Sequence, residues 1–184
     1  MLKCMASKHV IIGRSCSGKS SVVEELKNIG YNTLEETATQ VLKEKGPHGD
    51  DKEKILDAQE TMFFRQLNNE NCSVTKNGIV FLDRSLIDII AYTELLLGFL
   101  PESIKQAASN VRFSSRYDRV FGLEGLPFVK DGVRIENDEK EAQSIYDKVL
   151  VKYDKFGYSI INVPVLSSAK ERASFIIDNI GGWL

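Results

Sequence analysis

Short, wholly apolar runs alternate along the chain with longer stretches in which apolar residues recur every three or four positions. A strand covered on both faces needs continuous apolar text, whereas a helix lying on a sheet needs only one apolar stripe, so the alternation predicts an α/β layer fold with a parallel sheet. His9–Ile12 reads as a first buried strand, and Ser20–Ile29 as a helix with Val22, Val23, Leu26 and Ile29 on one face and Gly30 as its stop. Tyr31–Glu35 is a second strand. Helical text runs from Glu36 to about Lys45, breaks at Gly46-Pro47, and resumes from Asp51 to Asn69 with Ile55, Leu56, Met62, Phe63 and Leu67 inward.

Asn77-Gly78 is a turn signal before a third strand, Ile79–Leu82. Ser85 and Asp88 have the spacing of a capping box ahead of a helix carrying Leu86, Ile89, Ile90, Leu96 and Leu97, and Pro101 starts a short helix after it. Tyr117–Leu123 reads as a fourth strand, 124–136 as a loop rich in glycine and charge, Asp138–Phe156 as a helix ended by Gly157, and Ser159–Val163 as a fifth strand. Ser168 and Glu171 predict a capping box for a last helix, with Ala173, Ile176, Ile177 and Ile180 inward and Gly181 beyond it. The expected architecture is a three-layer, doubly wound, mostly parallel five-stranded sheet in one domain, 1–184.

Composition narrows the function classes. With 24 Lys+Arg against 26 Asp+Glu in 184 residues, the formal charge is -2, which argues against a DNA- or RNA-binding module. The greasiest stretch, Leu86–Leu100, contains Asp88, Thr93 and Glu94 and is too short to span a bilayer, and no signal-peptide core precedes Gly13. Cys4, Cys16 and Cys72 are unpaired in spacing, and His9 and His48 are the only histidines, so neither a disulfide framework nor a zinc site is expected. A reducing, cytoplasmic setting follows.

Gly13-Arg14-Ser15-Cys16-Ser17-Gly18-Lys19-Ser20 fits G-x-x-x-x-G-K-[ST]. Glycines let the backbone turn tightly round an anion so that successive N–H groups face its oxygens, and the helix that follows adds its positive end. Lys19 then reaches the outer phosphates and the Ser20 hydroxyl binds Mg²⁺. The pattern arises by chance in roughly one chain in a hundred of this length, and here it also has a strand before it and a helix after it. ATP is the expected nucleotide, with GTP an alternative.

A third strand that runs into Asp83 places a carboxylate at the sheet edge where α/β proteins bind ligands, able to hold Mg²⁺ directly or through water. Arg84 follows it, as a phosphoryl or substrate clamp or else as a surface ion pair. Glu35 and Glu36 close the second strand; one faces the crevice, and Glu36 is the candidate to accept or orient the proton of an attacking hydroxyl. Arg112, Arg116, Arg119 and Arg134 lie around the fourth strand and the loop after it, a lid candidate at 124–136. Arg134 and Arg116 are the preferred phosphate contacts, with Phe128 as a hydrophobic latch or a core anchor.

Taken in order, the phosphate loop, Leu34-Glu35-Glu36-Thr37-Ala38, the segment Phe81–Asp88, Tyr117-Asp118-Arg119-Val120-Phe121 and the stretch from Leu126 to Arg134 resemble a P-loop AAA-type domain family. That family is shared by the NadR nicotinamide riboside kinase domain and the TRP translocation-defect proteins. The resemblance implies a nucleoside- or nucleotide-kinase-like P-loop fold, Mg-nucleotide on Gly13–Ser21 (Ser15, Cys16, Ser17, Gly18 and Ser21 included), Asp83 near the metal, and an acceptor pocket between Glu36, Arg84 and the helices after them. The leading expectation is an ATP- and Mg-dependent phosphotransferase acting on a small hydroxyl acceptor, a nucleoside or a ribosylated base such as nicotinamide riboside. The alternative is a nucleotide-dependent switch or slow NTPase that engages a protein or phosphoinositide partner.

Overall fold

The computed structural model describes residues 7–47, 49–73, 78–127 and 138–181. In chain order the elements are β1 (Ser7–Gly13), α1 (Lys19–Ile29), β2 (Asn32–Leu34), α2 (Thr37–Lys45), α3 (Lys52–Cys72), β3 (Ile79–Asp83), α4 (Leu86–Leu97), α5 (Glu102–Ser109), a 3-10 turn (Phe113–Ser115), β4 (Arg119–Leu123), α6 (Glu139–Lys155), β5 (Ile160–Val163) and α7 (Ala169–Asp178). The strands form one five-stranded sheet in the order β2-β3-β1-β4-β5. Every pairing is parallel.

Side-chain alternation along the strands builds the layers. Val10, Ile12, Val80, Leu82 and Val120 point into a core shared with helices α2 to α6. Ile11, Phe81, Phe121 and Leu123 point into a second core, closed by Val22, Val23 and Leu26 of α1 and Ala173 and Ile176 of α7. Val10, Ile11 and Ile12 are all fully buried, which is why the middle of the first strand is apolar on both faces.

Chain order and strand order together locate the crevice. The path leaving β1 runs to β2 on one side, and the path leaving β3 runs to β4 on the other. A cleft therefore opens between the C-terminal ends of β1 and β3, where α/β proteins bind ligands. Ile11 pairs with Asp83 in that register, and the Arg84 N–H donates to the Ile11 carbonyl at 3.1 Å, so the end of β3 stands beside the start of the phosphate loop.

Local details depart from expectation. The Ser85–Asp88 capping box forms in both directions. At α7, Ser168 accepts from the Glu171 N–H, but Glu171 Oε2 takes its hydrogen bonds from the N–H and hydroxyl of Ser167, so the return arm closes one residue early. Pro101 lies just ahead of α5 and gives its carbonyl to Lys105. Tyr117 stays outside β4 because its ring is buried and its hydroxyl is bonded to Glu70. On α3 the inward face carries polar Gln59, Gln66 and Glu70 as well as Ile55, Met62 and Phe63. These polar groups are satisfied internally: Thr93 donates to Gln59, Thr37 donates to Gln66, and Gln66 donates to Glu70.

Candidate functional site

The loop after β1 is concave because two of its residues adopt left-handed backbone, Cys16 at φ 60° and Gly18 at φ 78°. Gly13 has no substitute here: a Cβ would come 2.5 Å from Ser17 Oγ and 3.1 Å from the Leu123 carbonyl. Ser17 is buried with its hydroxyl oxygen unpartnered. Lys19 is buried at the start of α1, and its ammonium donates to the carbonyls of Gly13 (3.1 Å) and Arg14 (3.2 Å). Burial first, then the charge of Arg84, pushes Lys19 down to about 8, against the pull of Asp83, Glu36 and Asp88.

Asp83 is buried at the tip of β3. Its Oδ2 is 3.5 Å from the Ser20 hydroxyl, and its Oδ1 has no partner. Burial is the main reason that Asp83 is pushed up to about 6, with Glu36 and Asp88 adding to it and Lys19 and Arg84 opposing. An orphaned buried carboxylate oxygen beside a hydroxyl fits a hard divalent cation that takes oxygen ligands and completes its shell with phosphate and water.

Arg84 has φ 67°, a conformation that costs a non-glycine residue about 1–2 kcal/mol. The side chain is gripped on three sides: Nε to Glu36 Oε1 at 2.6 Å, Nη1 to Asp88 Oδ1 at 3.5 Å, and the guanidinium 5.2 Å from the centre of the Tyr92 ring. Of the two glutamates closing the second strand, Glu35 turns outward to Lys27 at 3.3 Å and Glu36 turns inward to Arg84. Burial works against the Glu36 charge. Arg84, the Thr39 hydroxyl at 2.7 Å and Lys19 outweigh it and hold the carboxyl below its ordinary range.

The fold thus brings Gly13, Ser15, Cys16, Ser17, Gly18, Lys19, Ser20 and Ser21 together with Asp83, and sets the Glu36–Arg84 pair in the same electrostatic cluster. It does not bring Arg116 there. Arg116 precedes β4, whose first residue pairs with His9, at the opposite edge of the sheet from the phosphate loop. Its Nε is 2.6 Å from fully buried Glu70 and its Nη2 is 3.0 Å from Asn71, so its charge neutralises Glu70. Arg134 and Phe128 lie outside the described residues, as does all of the lid candidate beyond 127.

A family model described as an AAA domain matches residues 8–172. The chain belongs to that family. Among solved structures, the NadR protein in complex with NAD and AMP-PNP superposes with a TM-score of 0.70 at 19% identity, covering 98% of this chain and 51% of that one. The chain therefore spans about half the length of the NadR protein. Deoxyadenosine kinase from M. mycoides with bound dATP follows at 0.63 and 16% identity, covering 95% and 98%. Shikimate kinase from Acinetobacter baumannii in complex with shikimate gives 0.54 and 12%, covering 95% and 93%. At these identities the likeness establishes the fold, that of P-loop kinases. No curated protein matches the sequence. Among the described residues no helix is long and apolar enough to cross a membrane.

Several residues of this AAA-family site carry no role in the motif reading. Arg14, a variable position of the loop, is buried and donates to the Leu126 carbonyl (2.8 Å) and Glu139 (2.6 Å). Asp88, readable as a cap, also pairs with Arg84; the i, i+4 spacing of the two was the available signal. Tyr153 of α6 reaches both Ser85 and Asp88, and nothing in its local sequence marks it.

Proposed function

We propose that the protein is an ATP- and Mg-dependent phosphotransferase whose acceptor is a small hydroxyl compound, a nucleoside or a ribosylated base such as nicotinamide riboside. The observation that carries this reading is the Glu36–Arg84 pair, held at 2.6 Å next to a complete phosphate loop. A binding switch needs the loop alone; an inward carboxylate fixed by an arginine is what a hydroxyl acceptor requires. The shared fold with NadR and deoxyadenosine kinase supports the same class.

In this reading the loop N–H groups and Lys19 bind the β- and γ-phosphates, and Ser20 and Asp83 hold Mg²⁺. The ion, when bound, neutralises phosphate charge and fixes the triphosphate for in-line transfer. Glu36 is ionised at neutral pH and accepts a hydrogen bond from the acceptor hydroxyl, orienting its lone pair at the γ-phosphorus. The new O–P bond forms as the bond to the β–γ bridging oxygen breaks, ADP leaves, and the hydroxyl proton passes to Glu36 and on to water. Arg84, with Nε and Nη1 engaged by Glu36 and Asp88, offers Nη2 to the phosphoryl oxygens as charge builds there. Cys16 and Ser21 contribute backbone only, and a role for Arg134 as a further phosphate contact is part of the proposal.

The test is ADP release from Mg·ATP, with and without a panel of nucleosides that includes nicotinamide riboside, and with Lys19→Ala in parallel to expose contaminants. Acceptor-stimulated release that disappears in Lys19→Ala is the expected result, and Glu36→Gln should lower kcat with little change in the KM for ATP. Tight nucleotide binding without any acceptor response would sink the kinase reading in favour of a switch.

A further inference from the structure

Arg172 lies in the first turn of α7 and is 3% exposed. A cation there faces the positive end of its own helix, and no ion pair among the described residues includes it. Its partners are four backbone carbonyls: Nη1 donates to Ser17 at 2.6 Å, Nη2 to Glu124 at 2.7 Å and to Val163 at 3.3 Å, and Nε to Pro164 at 2.9 Å. The rigid guanidinium fork suits this task, because several donors leave one plane in fixed directions. Ser17, 155 positions away, is inside the phosphate loop.

A planar trans peptide points its C=O and N–H in opposite directions. With the Ser17 carbonyl drawn outward to Arg172, the Gly18 N–H faces the other way, to the concave side of the loop. The preceding peptide is fixed alike: Leu126 N–H donates to the Cys16 carbonyl at 2.9 Å, which turns the Ser17 N–H inward. Leu126 is itself held through its carbonyl by Arg14, and Glu124 through its carbonyl by Arg172. Turning the Ser17–Gly18 peptide over would take Gly18 from φ 78° to negative φ, and glycine, lacking a Cβ, occupies both signs about equally readily. Something outside the loop must choose.

We propose that Arg172 makes this choice: it is a positioning residue that locks the Ser17–Gly18 peptide with its N–H toward the triphosphate. The inference rests on the reading of the loop as the phosphate site and adds how that site is preorganised. Arg172 touches no phosphate in this account. Its effect is to remove a flip that the loop would otherwise have to undo on each binding event.

The experiment uses the full chain and calorimetric titration with tripolyphosphate and with ATP, for wild type, Arg172→Gln, Arg172→Lys and Ile176→Val. Lysine keeps the charge but cannot span four carbonyls, and Ile176→Val loosens the buried face of α7 without touching the loop. Both Arg172 variants should lose about tenfold or more in tripolyphosphate affinity, the size of one oriented hydrogen bond to a charged group. In the kinase assay the KM for ATP should rise while the acceptor KM holds, and Ile176→Val should bind within about twofold of wild type. Wild-type affinity in a folded Arg172 variant overturns the inference, and so does an equal loss in Ile176→Val, which would trace the effect to helix packing. If Arg172→Gln does not fold, Arg172→Lys decides. Wild type that binds neither probe would instead overturn the phosphate-site reading, and this inference with it.

Discussion

The Tyr153 hydroxyl donates to Oδ2 of Asp88 across 2.6 Å, and both side chains are buried. That contact ties α6 to the first turn of α4 and, through Asp88, to Arg84. Tyr153 has one hydrogen and gives it to Asp88, so in the 2.7 Å contact with Ser85 the serine hydroxyl is the donor. Asp88 Oδ2 also accepts the Ser85 N–H at 2.9 Å, leaving Oδ1 to face the guanidinium. Removing the hydroxyl in Tyr153→Phe takes a donor from a buried carboxylate. The unfolding free energy should fall by about 1.5–3 kcal/mol, read as a lower urea midpoint at unchanged slope. An unaltered midpoint would show that the contact adds nothing to stability.

Asp83 should trade stability for function. Its carboxyl is raised to about 6 in the fold from an ordinary value of 3.8, so between those values the folded chain holds the extra proton. Its contribution to stability therefore declines as pH rises through that window. Asp83→Asn should raise the metal-free unfolding free energy at pH 7.5 by an amount on the order of 2–3 kcal/mol, read as a higher Tm, and leave it nearly unchanged near pH 4. The same substitution should abolish most Mg-dependent turnover. A lower Tm at pH 7.5 would contradict the burial argument.

Lys19 makes binding a proton-linked event. Its ammonium is depressed to about 8, so at pH 8 a sizeable fraction is neutral before a triphosphate arrives. Phosphate charge favours the protonated form, and binding should draw protons from the buffer near pH 8 and few at pH 6.5. Titrations in buffers of different ionisation enthalpy measure that number directly. In Lys19→Ala the uptake should vanish and affinity fall by roughly ten- to a hundredfold.

His9, 2% exposed between the rings of Phe81 and Phe121, should stay neutral across the physiological range. Burial lowers it to about 4, outweighing the nearby charge of Asp118. Because the unfolded chain takes up a proton near 6.5 and the folded chain does not, the stability linked to His9 is complete above 6.5 and is lost as pH falls toward 4. NMR of the imidazole should give no titration above pH 5; a midpoint near 6.5 would place the ring in water.

Much of this protein was legible before any fold. The five strands were located to within two residues at either end, the central ones by apolar runs such as Val10–Ile12 and Ile79–Leu82, because strand positions covered on both faces of the sheet favour apolar side chains. Gly13, Gly18, Lys19 and Ser20 announced a phosphate loop because an anion nest demands those residue types at that spacing. Asp83 was readable from its place at the end of a strand. Choosing Glu36 over Glu35 needed only the alternation of a strand and the start of the next helix.

What sequence cannot carry is the pairing of polar groups that lie far apart along the chain. Arg116 looked like a phosphate ligand because an arginine near a loop is indistinguishable, in sequence, from one that neutralises a buried carboxylate; Glu70, 46 positions away, decides which it is. Tyr153 with Asp88, and Arg172 with Ser17, meet for the same reason: packing helices on both faces of the sheet brings their side chains to strand ends they never neighbour in sequence. Local spacing marks helices and caps because those are held by hydrogen bonds between near neighbours, and it marks strands and the phosphate loop through the residue types that burial and an anion demand, although their partners lie far along the chain. The choice of partner for each buried charge belongs to the tertiary structure, since a desolvated charge takes whichever complementary group packing delivers.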